Sequence, residues 1–167
     1  MKQMSLFEQP EKKVTVCDHW QLFVDGAARK NPGPAGAGLY IVKNDKPFLK
    51  KGFYLGSKTN NQAEYAALLL GLYFIKAHIQ DNDHLDIISD SELLVKQFKG
   101  EYRVKHPELK SLHLLAKKML IDIHHSIAHV LREYNIVADE MANIGIDDKI
   151  KMPQEFLTLL KQHELDW

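Results

Sequence analysis

The amino-acid sequence predicts an α/β fold, in which helices cover both faces of a five-stranded mixed sheet. Short apolar runs alternate with segments of helical spacing along the chain, which is typical of this class. The first three strands follow one another through tight turns, which favours antiparallel pairing. The last two strands are each preceded by helical segments, which favours parallel neighbours. A length of 167 residues is typical of one domain with a substantial core.

The first three strands are predicted from apolar runs with turn residues beside them. They are "WQLFV" (20–24), "AGAGLYIVK" (35–43) and "PFLKKGFYLG" (47–56). The first run ends at Asp-Gly, a dipeptide typical of a chain reversal. Between the second and third runs stands only Asn44-Asp45-Lys46, a tight connection. We therefore expect an antiparallel meander of three strands.

The middle of the chain changes from strand to helical spacing. Residues 61–78 repeat apolar side chains on roughly one helical face, namely Ala63, Ala66, Leu70, Tyr73, Phe74 and Ala77. The run "HLDIIS" (84–89) is expected to form the fourth strand, followed by a short helix from Ser91 to about Phe98.

The last part of the domain contains two more helices and one more strand. Pro107 is expected to begin a helix whose inward face comprises Leu112, Leu115, Ala116, Met119 and Ile123. The run "SIAHVL" (126–131) is the predicted fifth strand. Asn135 is expected to cap a last helix that continues through Ala142.

Three parts are expected along the chain. Residues 1–18 are a polar leader with an apolar Leu6–Phe7 pair, residues 19–148 form the domain, and residues 149–167 form an amphipathic tail. A helix in the tail would place four side chains on one side: Phe156, Leu159, Leu160 and His163. We expect this helix to dock on the domain, with a dimer contact as the alternative. A monomer is expected rather than a dimer.

Composition limits the environment in which the protein works. Cys17 is the only cysteine, which excludes an internal disulfide and fits a reducing cytosol. The leader has no apolar stretch typical of a signal peptide, and no window approaches the length of a membrane span. A cytoplasmic protein with no membrane partner is therefore expected.

Charge is balanced overall but is distributed unevenly. Lys+Arg and Asp+Glu both number 22, so the net charge does not indicate a polyanionic partner. From Arg29 to Lys58, seven basic residues accompany one acid, whereas from Asp81 to Glu92 there are five acids and no Lys or Arg. A basic lobe beside an acidic centre suits a metal-dependent enzyme acting on nucleic acid. A pair of solvated faces is the alternative explanation.

Four carboxylates stand near the ends of apolar runs, namely Asp25, Glu64, Asp90 and Asp139. Each has a structural explanation when taken singly: a turn at Asp25-Gly26, a capping box from Asn61 to Glu64, an N-cap at Asp90, and a favourable charge in the first helical turn at Asp139. Together they are unfavourable for stability, because like charges held close raise one another's pKa. A set of such acids is typical of a site for a hard divalent cation.

The sequence blocks around these acids resemble the motifs of the ribonuclease H family. They are "DGAARKNPGPAGAG", "TNNQAEYAALLLGL", "ISDSELLV" and "HVLREYNIVADEMAN". The chain is more closely similar to compact ribonuclease HI-like proteins that lack a basic protrusion, over about residues 20–145. The resemblance implies a ribonuclease H-like fold and a metal-dependent endonuclease that cuts the RNA strand of RNA–DNA hybrids.

The resemblance also implies the metal ligands. Asp25 would bridge two Mg²⁺ ions, with Mn²⁺ as an alternative metal; Glu64 and Asp90 would hold one ion, and Asp139 the other. Two cations roughly 4 Å apart can activate the attacking water and neutralise the leaving oxygen. The products would carry 5′-phosphate and 3′-hydroxyl ends. Two alternatives stay open: a related nuclease that prefers duplex or structured RNA, and a catalytically idle nucleic-acid-binding module.

Substrate contacts are implied residue by residue. The matching positions are Asn31, Thr59, Asn60 and Asn61, with Lys58 as a helper of Thr59 at a DNA phosphate. Neutral amides and hydroxyls suit a minor groove lined with 2′-hydroxyls, and Glu64 would be a 2′-hydroxyl partner. Asn60 and Asn61 could equally serve as capping residues.

Three departures from the family pattern concern the helper residues. The basic handle is absent, and Lys99, Arg103, Lys105 and His106 could supply a smaller basic edge. Glu92 replaces a common Gln, so it would either repel phosphate or turn outward. The Gly-His loop before the last helix is missing: His129 matches the mobile catalytic His by spacing, yet it lies in a predicted strand, and a structural role is expected. Arg132 is the residue we expect near the leaving product instead.

The leader contains a short peptide of its own. Gln3, Leu6 and Phe7 lie in "QMSLF", which resembles the Gln-x-x-Leu-Phe peptide that docks bacterial replication and repair proteins on the sliding clamp. Such tethering would bring a weakly binding nuclease to replicating DNA. The alternatives are a disordered leader and a Leu-Phe pair that packs on its own domain.

Overall fold

The computed structural model describes residues 15–167, which form one five-stranded sheet with helices packed against it. The strands are β1 (His19–Ala28), β2 (Gly33–Lys43), β3 (Lys46–Lys58), β4 (His84–Ser89) and β5 (His124–His129). The helices are α1 (Asn60–Lys76), α2 (Glu92–Phe98), α3 (Pro107–Met119), α4 (Ile136–Asp147) and α5 (Gln154–Gln162), with a 3₁₀ turn at Arg132–Tyr134. The strand order is β3-β2-β1-β4-β5.

The pairing of the strands confirms the predicted mixed sheet. β1, β2 and β3 form an antiparallel meander. β4 pairs parallel to β1, and β5 pairs parallel to β4. The parallel connections pass through helices, as right-handed crossover geometry requires of parallel neighbours.

Glycines in the sheet show that α1 and α4 lie on opposite faces. A Cβ atom on Gly26 would lie 2.2 Å from the backbone of Ala63 in α1, and a Cβ atom on Gly38 would lie 1.9 Å from the carbonyl oxygen of Ala138 in α4. Gly26 pairs with Ala37, the neighbour of Gly38 in β2, so Gly26 and Gly38 face opposite ways. Helices therefore cover both faces, as predicted.

Helix α1 is buried on more than one side. Its residues Leu68, Leu69 and Leu70 are consecutive and all fully buried, because the sheet lies on one side of α1 and α3 on the other. The sequence predicted one apolar face on α1, whereas the helix is buried over more of its circumference. Ala77, assigned to that face from the sequence, is the exposed C-cap residue.

Several element ends differ from the sequence-based prediction. β5 covers 124–129 rather than 126–131, because His124 pairs with His84 at the first position of β4 and the chain leaves the sheet after His129. α3 ends at Met119, before Ile123, and α4 continues beyond Ala142 to Asp147.

The helix caps also differ from the prediction. The capping box of α1 is formed by Thr59 and Gln62: the Thr59 hydroxyl accepts from Gln62 N at 3.2 Å, and the Gln62 side chain accepts from Thr59 N at 2.9 Å. A capping role for Glu64 with Asn61 is therefore wrong. Ser91, rather than Asp90, caps α2 by accepting from Leu94 N at 3.2 Å. Neither Glu64 nor Asp90 therefore has a capping role.

The tail packs onto the domain through α5. Phe156 and Leu160 are 1% and 2% exposed, and the Phe156 ring lies edge-on to Tyr73 of α1 with a centroid distance of 5.7 Å. Leu159 is partly buried against the same core, whereas His163 is exposed and ends the helix. Residues 149–167 thus share the core of the sheet-and-helix domain.

Two observations concern the surroundings of the chain. Within residues 15–167, no helix combines the length and the apolarity needed to cross a bilayer. The proposed clamp-binding residues Gln3, Leu6 and Phe7 lie outside the described residues.

Candidate active site

Asp25 and Asp90 emerge side by side where the parallel pairing of β1 and β4 ends. The last register pair is Val24 with Ser89, so the next residue of each strand is an aspartate. Asp25 remains within β1, paired with Gly38 of β2, and is 5% exposed. The explanation of Asp25 as a turn residue is therefore wrong. Ligands of α/β sheets bind at this carboxyl edge.

Glu64 reaches Asp25 because α1 approaches β1 very closely at Gly26. The close contact with the Ala63 and Glu64 backbone leaves no room for a Cβ atom on Gly26. The amide of Gly26 also donates to Glu64 Oε2 at 3.0 Å. Gly26 was interpreted from the sequence as a turn glycine, yet it lies in a strand. Glycine inside a strand is a signal for close backbone approach, and that signal was available.

Asn135 connects the start of α4 to the site. Its Nδ2 donates to the carbonyl oxygen of Val24 at 2.8 Å and to Asp90 Oδ1 at 3.3 Å, and the residue is 1% exposed. It occupies the N-cap position of α4, as predicted, but its side chain makes these long-range contacts and no capping hydrogen bond. The sequence offered no signal for this contact, which joins residues 111 positions apart.

The carboxylates form one cluster in a shallow cavity. Ligand oxygens of Asp25, Glu64 and Asp90 all lie within 4.8 Å of one another. Asp139 lines the same cavity of about 380 Å³, and its Oδ1 lies 3.7 Å from Nη2 of Arg132. The structure thus brings all four acids to one place, with Asp139 at the side of the compact trio.

Burial and mutual repulsion control the charge of this cluster. Burial, followed by the carboxylates of Glu64, Asp90 and Asp139, raises the pKa of Asp25 to about 10. Burial and Asp90 raise the pKa of Glu64 to about 8, against the lowering effects of the Gly26 amide, of a hydrogen bond with Asp25 and of the Arg132 charge. A cluster of oxygen donors that disfavours its own charges is suited to a hard divalent cation. The donor set therefore fits Mg²⁺ or Mn²⁺.

The helper residues lie around the cluster at different distances. Arg132, in the 3₁₀ turn, is 81% exposed and lines the cavity. His129 is the exposed last residue of β5, and its Nε2 lies 3.3 Å from the carbonyl oxygen of Asp90. Glu92 is 61% exposed and pairs with Lys96, which holds the pKa of the Glu92 carboxyl below its usual range. Of the two alternatives for Glu92, the structure places it outward.

The expected substrate residues divide into three groups around the first turn of α1. Asn60 lines the acid cavity and accepts from Ala28 N at 3.1 Å, and Asn31 accepts from Asn60 N at 3.0 Å. Asn61 lines a separate cavity with the basic edge of Arg103, Lys105 and His106. Lys58 lines a third cavity, on the side of α3 and the tail. Thr59, between these groups, uses its hydroxyl in the capping box.

Fold and site together define an α/β protein with a carboxylate cluster, whose donor set fits divalent cations, at the carboxyl edge of a mixed sheet. A family model described as "Reverse transcriptase-like" matches residues 23–145. The chain is 38% identical over 128 residues to a ribonuclease HI of Halobacterium salinarum, covering 75% of this chain and 63% of that protein. It is 32% identical to a ribonuclease H of Coxiella burnetii, covering 78% of this chain and 91% of that protein.

A solved structure shows the same architecture. LC11-RNase H1, determined in complex with an RNA/DNA hybrid, superposes with a TM-score of 0.74 and 34% identity, covering 77% of this chain and 97% of that one. The chain belongs to the ribonuclease H family. The family model ends at residue 145, before α5 and the residues that follow it.

Proposed function

We propose that this protein is a metal-dependent endonuclease that hydrolyses the RNA strand of RNA–DNA hybrids. The observation that carries the proposal is the cluster of Asp25, Glu64 and Asp90, whose oxygens lie within 4.8 Å of one another at the carboxyl edge of the sheet. A relative with the same fold, LC11-RNase H1, has been solved with an RNA/DNA hybrid, which supports the choice of substrate.

The four acids have distinct tasks in this proposal. The carboxylate of Asp25 interacts with those of Glu64, Asp90 and Asp139, and it would be shared by two Mg²⁺ ions, with Glu64 and Asp90 completing one site and Asp139 the other. Bound cations would lower the pKa of the attacking water and supply positive charge at the leaving oxygen. Asn135 and the Gly26 amide orient Asp90 and Glu64, so these acids are held before substrate arrives.

The reaction breaks the bond between phosphorus and the 3′ oxygen of the RNA strand. The water oxygen remains on the 5′-phosphate, and the 3′ oxygen takes up a proton to become a hydroxyl. Arg132, exposed at the rim of the cavity beside Asp139, would hold a phosphate at the leaving side.

Recognition of the hybrid would depend on the first turn of α1. Asn60 lines the cavity that holds the four acids, and Asn31 is held beside Asn60 by a hydrogen bond from the Asn60 amide. Their side-chain amides would therefore meet the strand that is cut. These neutral groups suit a minor groove that displays 2′-hydroxyls. Asn61 and the basic edge lie on one side of this turn, and Lys58 lies on the other.

The test is cleavage of a hybrid, an RNA duplex and a DNA duplex of one sequence, with Mg²⁺ or Mn²⁺, by wild type, Asp25→Asn and Asp139→Asn. We expect wild type to cut the hybrid's RNA strand and leave 5′-phosphate ends. Each substitution should lower the rate about 10³-fold or more, because charge stabilisation of several kcal/mol is lost. Glu140→Gln is a matched control, since Glu140 is exposed on the same helix as Asp139.

Two results would contradict the proposal. Full activity in Asp25→Asn and Asp139→Asn would exclude the two-metal mechanism. Cleavage of the RNA duplex in preference to the hybrid would favour the related nuclease for duplex RNA, and binding without cleavage would favour a catalytically idle module.

A further inference from the structure

We propose that Trp167 is a positioning residue for Lys58 and that the C-terminal segment 163–167 is thereby part of the nucleic-acid-binding surface. The proposal rests on the proposed function, because it concerns the strand that lies opposite the one cut. It goes beyond the family resemblance, since residues 146–167 lie outside the match to the family model.

A helix-ending motif directs the chain after α5 back onto the domain. Leu165 N donates to Leu160 O at 2.9 Å, and Glu164 N donates to Lys161 O at 3.0 Å, while Glu164 is left-handed with a φ of 58°. This is the hydrogen-bond pattern of a Schellman motif. It places Leu165 and Trp167 against the hydrophobic core. The position of Trp167 is thus set by the backbone and by packing.

Trp167 holds the side chain of Lys58 in place. The Lys58 Nζ atom lies 4.1 Å from the centroid of the Trp167 ring. The face of an indole attracts an ammonium group without cancelling its charge. Among residues 15–167, Lys58 forms no ion pair within 4.0 Å, although Glu108, Glu164 and Asp166 line the same cavity of about 330 Å³. Glu108 is engaged with Gln62 at 3.2 Å.

Lys58 is placed to meet the second strand of a duplex bound at the acids. It is the last residue of β3 and directly precedes Thr59, the N-cap of α1. Asn60 lines the acid cavity, whereas Lys58 and Gln62 line the cavity with Trp167, so the first turn of α1 separates the two. A helix with its side chains is about 10–12 Å across. One strand can therefore enter the acid cavity while a phosphate of its partner lies near Lys58.

Prior ordering of the lysine would improve binding. A free lysine side chain loses considerable rotamer freedom when it is fixed on a phosphate. On the Trp167 ring, much of that freedom is already lost in the unbound protein, and the charge remains available. Phosphate contacts of this kind position a duplex and carry no sequence information.

The experiment compares wild type, Trp167→Ala, Trp167→Phe, Lys58→Ala and the double alanine variant. KM and kcat are measured on the hybrid over a series of salt concentrations, and hybrid affinity is measured separately by fluorescence anisotropy in Ca²⁺. We expect Trp167→Ala to raise KM and Kd about fivefold with kcat unchanged. Trp167→Phe, which keeps an aromatic face, should lie near wild type. Lys58→Ala should reduce the slope of log Kd against log salt by about 1.

Coupling between the two residues separates positioning from a merely structural role. In the Lys58→Ala background, Trp167→Ala should have no further effect on KM. Additive effects, an unchanged KM in Trp167→Ala, or a lower KM because the tail had blocked a phosphate would each overturn the proposal. Thermal unfolding of every variant identifies any loss of folding, and Trp167→Phe with Lys58→Ala keeps the test decisive if Trp167→Ala unfolds.

The anisotropy measurement also separates this proposal from the proposed function. Wild type that binds the hybrid without cutting it overturns only the proposed nuclease activity. Wild type that neither binds nor cuts the hybrid overturns both.

Discussion

At the residue scale, Asp25 lies in surroundings that disfavour its own charge. It is 5% exposed, and the carboxylates of Glu64 and Asp90 lie within 4.8 Å. The fold tolerates this arrangement because packing and hydrogen bonds elsewhere determine where these residues lie. Clusters of acids with raised pKa values are frequent at functional sites. The same arrangement has measurable consequences for stability.

The metal-free protein should lose stability as the pH rises. The pKa values of Asp25 and Glu64 are raised in the folded state from the ordinary values of 3.8 and 4.5 to about 10 and about 8. At pH values between the ordinary and the raised pKa of each group, the folded state therefore binds more protons than the unfolded state. The free energy of unfolding therefore decreases as the pH rises from about 4 through the raised values. Thermal unfolding in EDTA should show Tm falling from about pH 5 to about pH 9.

Asp25→Asn should raise Tm at neutral pH and flatten this dependence, because it removes the buried member of the cluster. Asp148→Asn, at the exposed end of α4, is the matched control and should leave the dependence unchanged. A Tm that rises over this pH range in wild type would contradict the linkage argument.

Arg132 is expected to contribute more to turnover than His129. The guanidinium lines the acid cavity and lies 3.7 Å from Asp139. Among residues 15–167, His129 is not part of that cavity's lining, and the one hydrogen-bond contact of its side chain is with the backbone carbonyl of Asp90. Arg132→Ala should lower kcat about tenfold, corresponding to about 1.4 kcal/mol, and Arg132→Lys should recover part of it. Unchanged turnover in Arg132→Ala with loss of activity in His129→Ala would reverse the assignment.

At the element scale, the site depends on how closely helices approach the sheet. α4 lies directly over glycines of β2 and β3, which allows its first turn to bring Asp139 to the carboxyl edge. A Cβ atom would lie 1.9 Å from Ala138 O if added to Gly38, and 1.9 Å from Met141 O if added to Gly52. Neither carbonyl can move without moving the helix. The position of Asp139 thus depends on Gly38 and Gly52, because their lack of side chains allows α4 to lie close to the sheet.

Gly38→Ala should therefore be costly. The added methyl group meets backbone atoms of α4, so we expect a loss of about 3 kcal/mol in the free energy of unfolding. Gly71→Ala is the control, because the three atoms nearest its Cβ, from 2.7 Å, all belong to the Leu22 side chain rather than to a backbone, and alanine favours the helix. Urea unfolding followed by circular dichroism measures both, and equal stability of the two variants would contradict the close-approach argument.

The β2–β3 hairpin has a stabilising substitution available. Asn44 and Asp45 connect the strands and both have positive φ, at 49° and 63°, as a two-residue type I′ turn requires. Asp45→Gly should stabilise the protein by about 0.5–1 kcal/mol, since glycine adopts this conformation without steric cost. The measurement is the urea midpoint at constant m-value.

Asn44→Gly is the matched control for this hairpin. Asn44 Oδ1 accepts from His19 N at 2.9 Å, and its Nδ2 donates to Asp18 Oδ1 at 2.8 Å, so the substitution removes both hydrogen bonds. We expect no net gain from it. A gain equal to that of Asp45→Gly would show that backbone conformation alone decides stability at this turn.

At the scale of the whole molecule, the tail and the domain share one hydrophobic core. Phe156 and Leu160 of α5 are buried in the core that includes α1, and Leu165 and Trp167 pack on the same core. The molecule should therefore unfold in one cooperative transition.

Phe156→Ala tests this expectation. Removal of a fully buried aromatic ring that packs on Tyr73 should cost about 3–5 kcal/mol of the whole molecule's stability. Thr158→Ala, exposed on the same helix, should change it by no more than about 0.5 kcal/mol. If Phe156→Ala left the main transition unchanged, α5 would be an independent appendage.

Local patterns in the sequence predicted much of the fold. Strand and helix periodicity depends on near neighbours, and it produced the element order and the mixed sheet that the structure confirms. Exact element ends were less predictable: β5 is displaced by two residues, because its register is set by pairing with β4. The acids were recognised from their local motifs, and the structure places all four in one cavity.

Contacts between distant residues were decided only by the tertiary structure. Asn135 is the N-cap residue of α4, as predicted, but only the structure shows that its side chain ties α4 to Val24. Gly26 looked like a turn residue, yet it lies in a strand and its amide holds Glu64. Trp167 had no role in the sequence-based interpretation and stacks on Lys58. The sequence alone thus determined which chemistry the chain can offer, because side-chain type and period are local properties. Which groups hold the acids and orient the lysine depends on long-range packing, which no local pattern encodes.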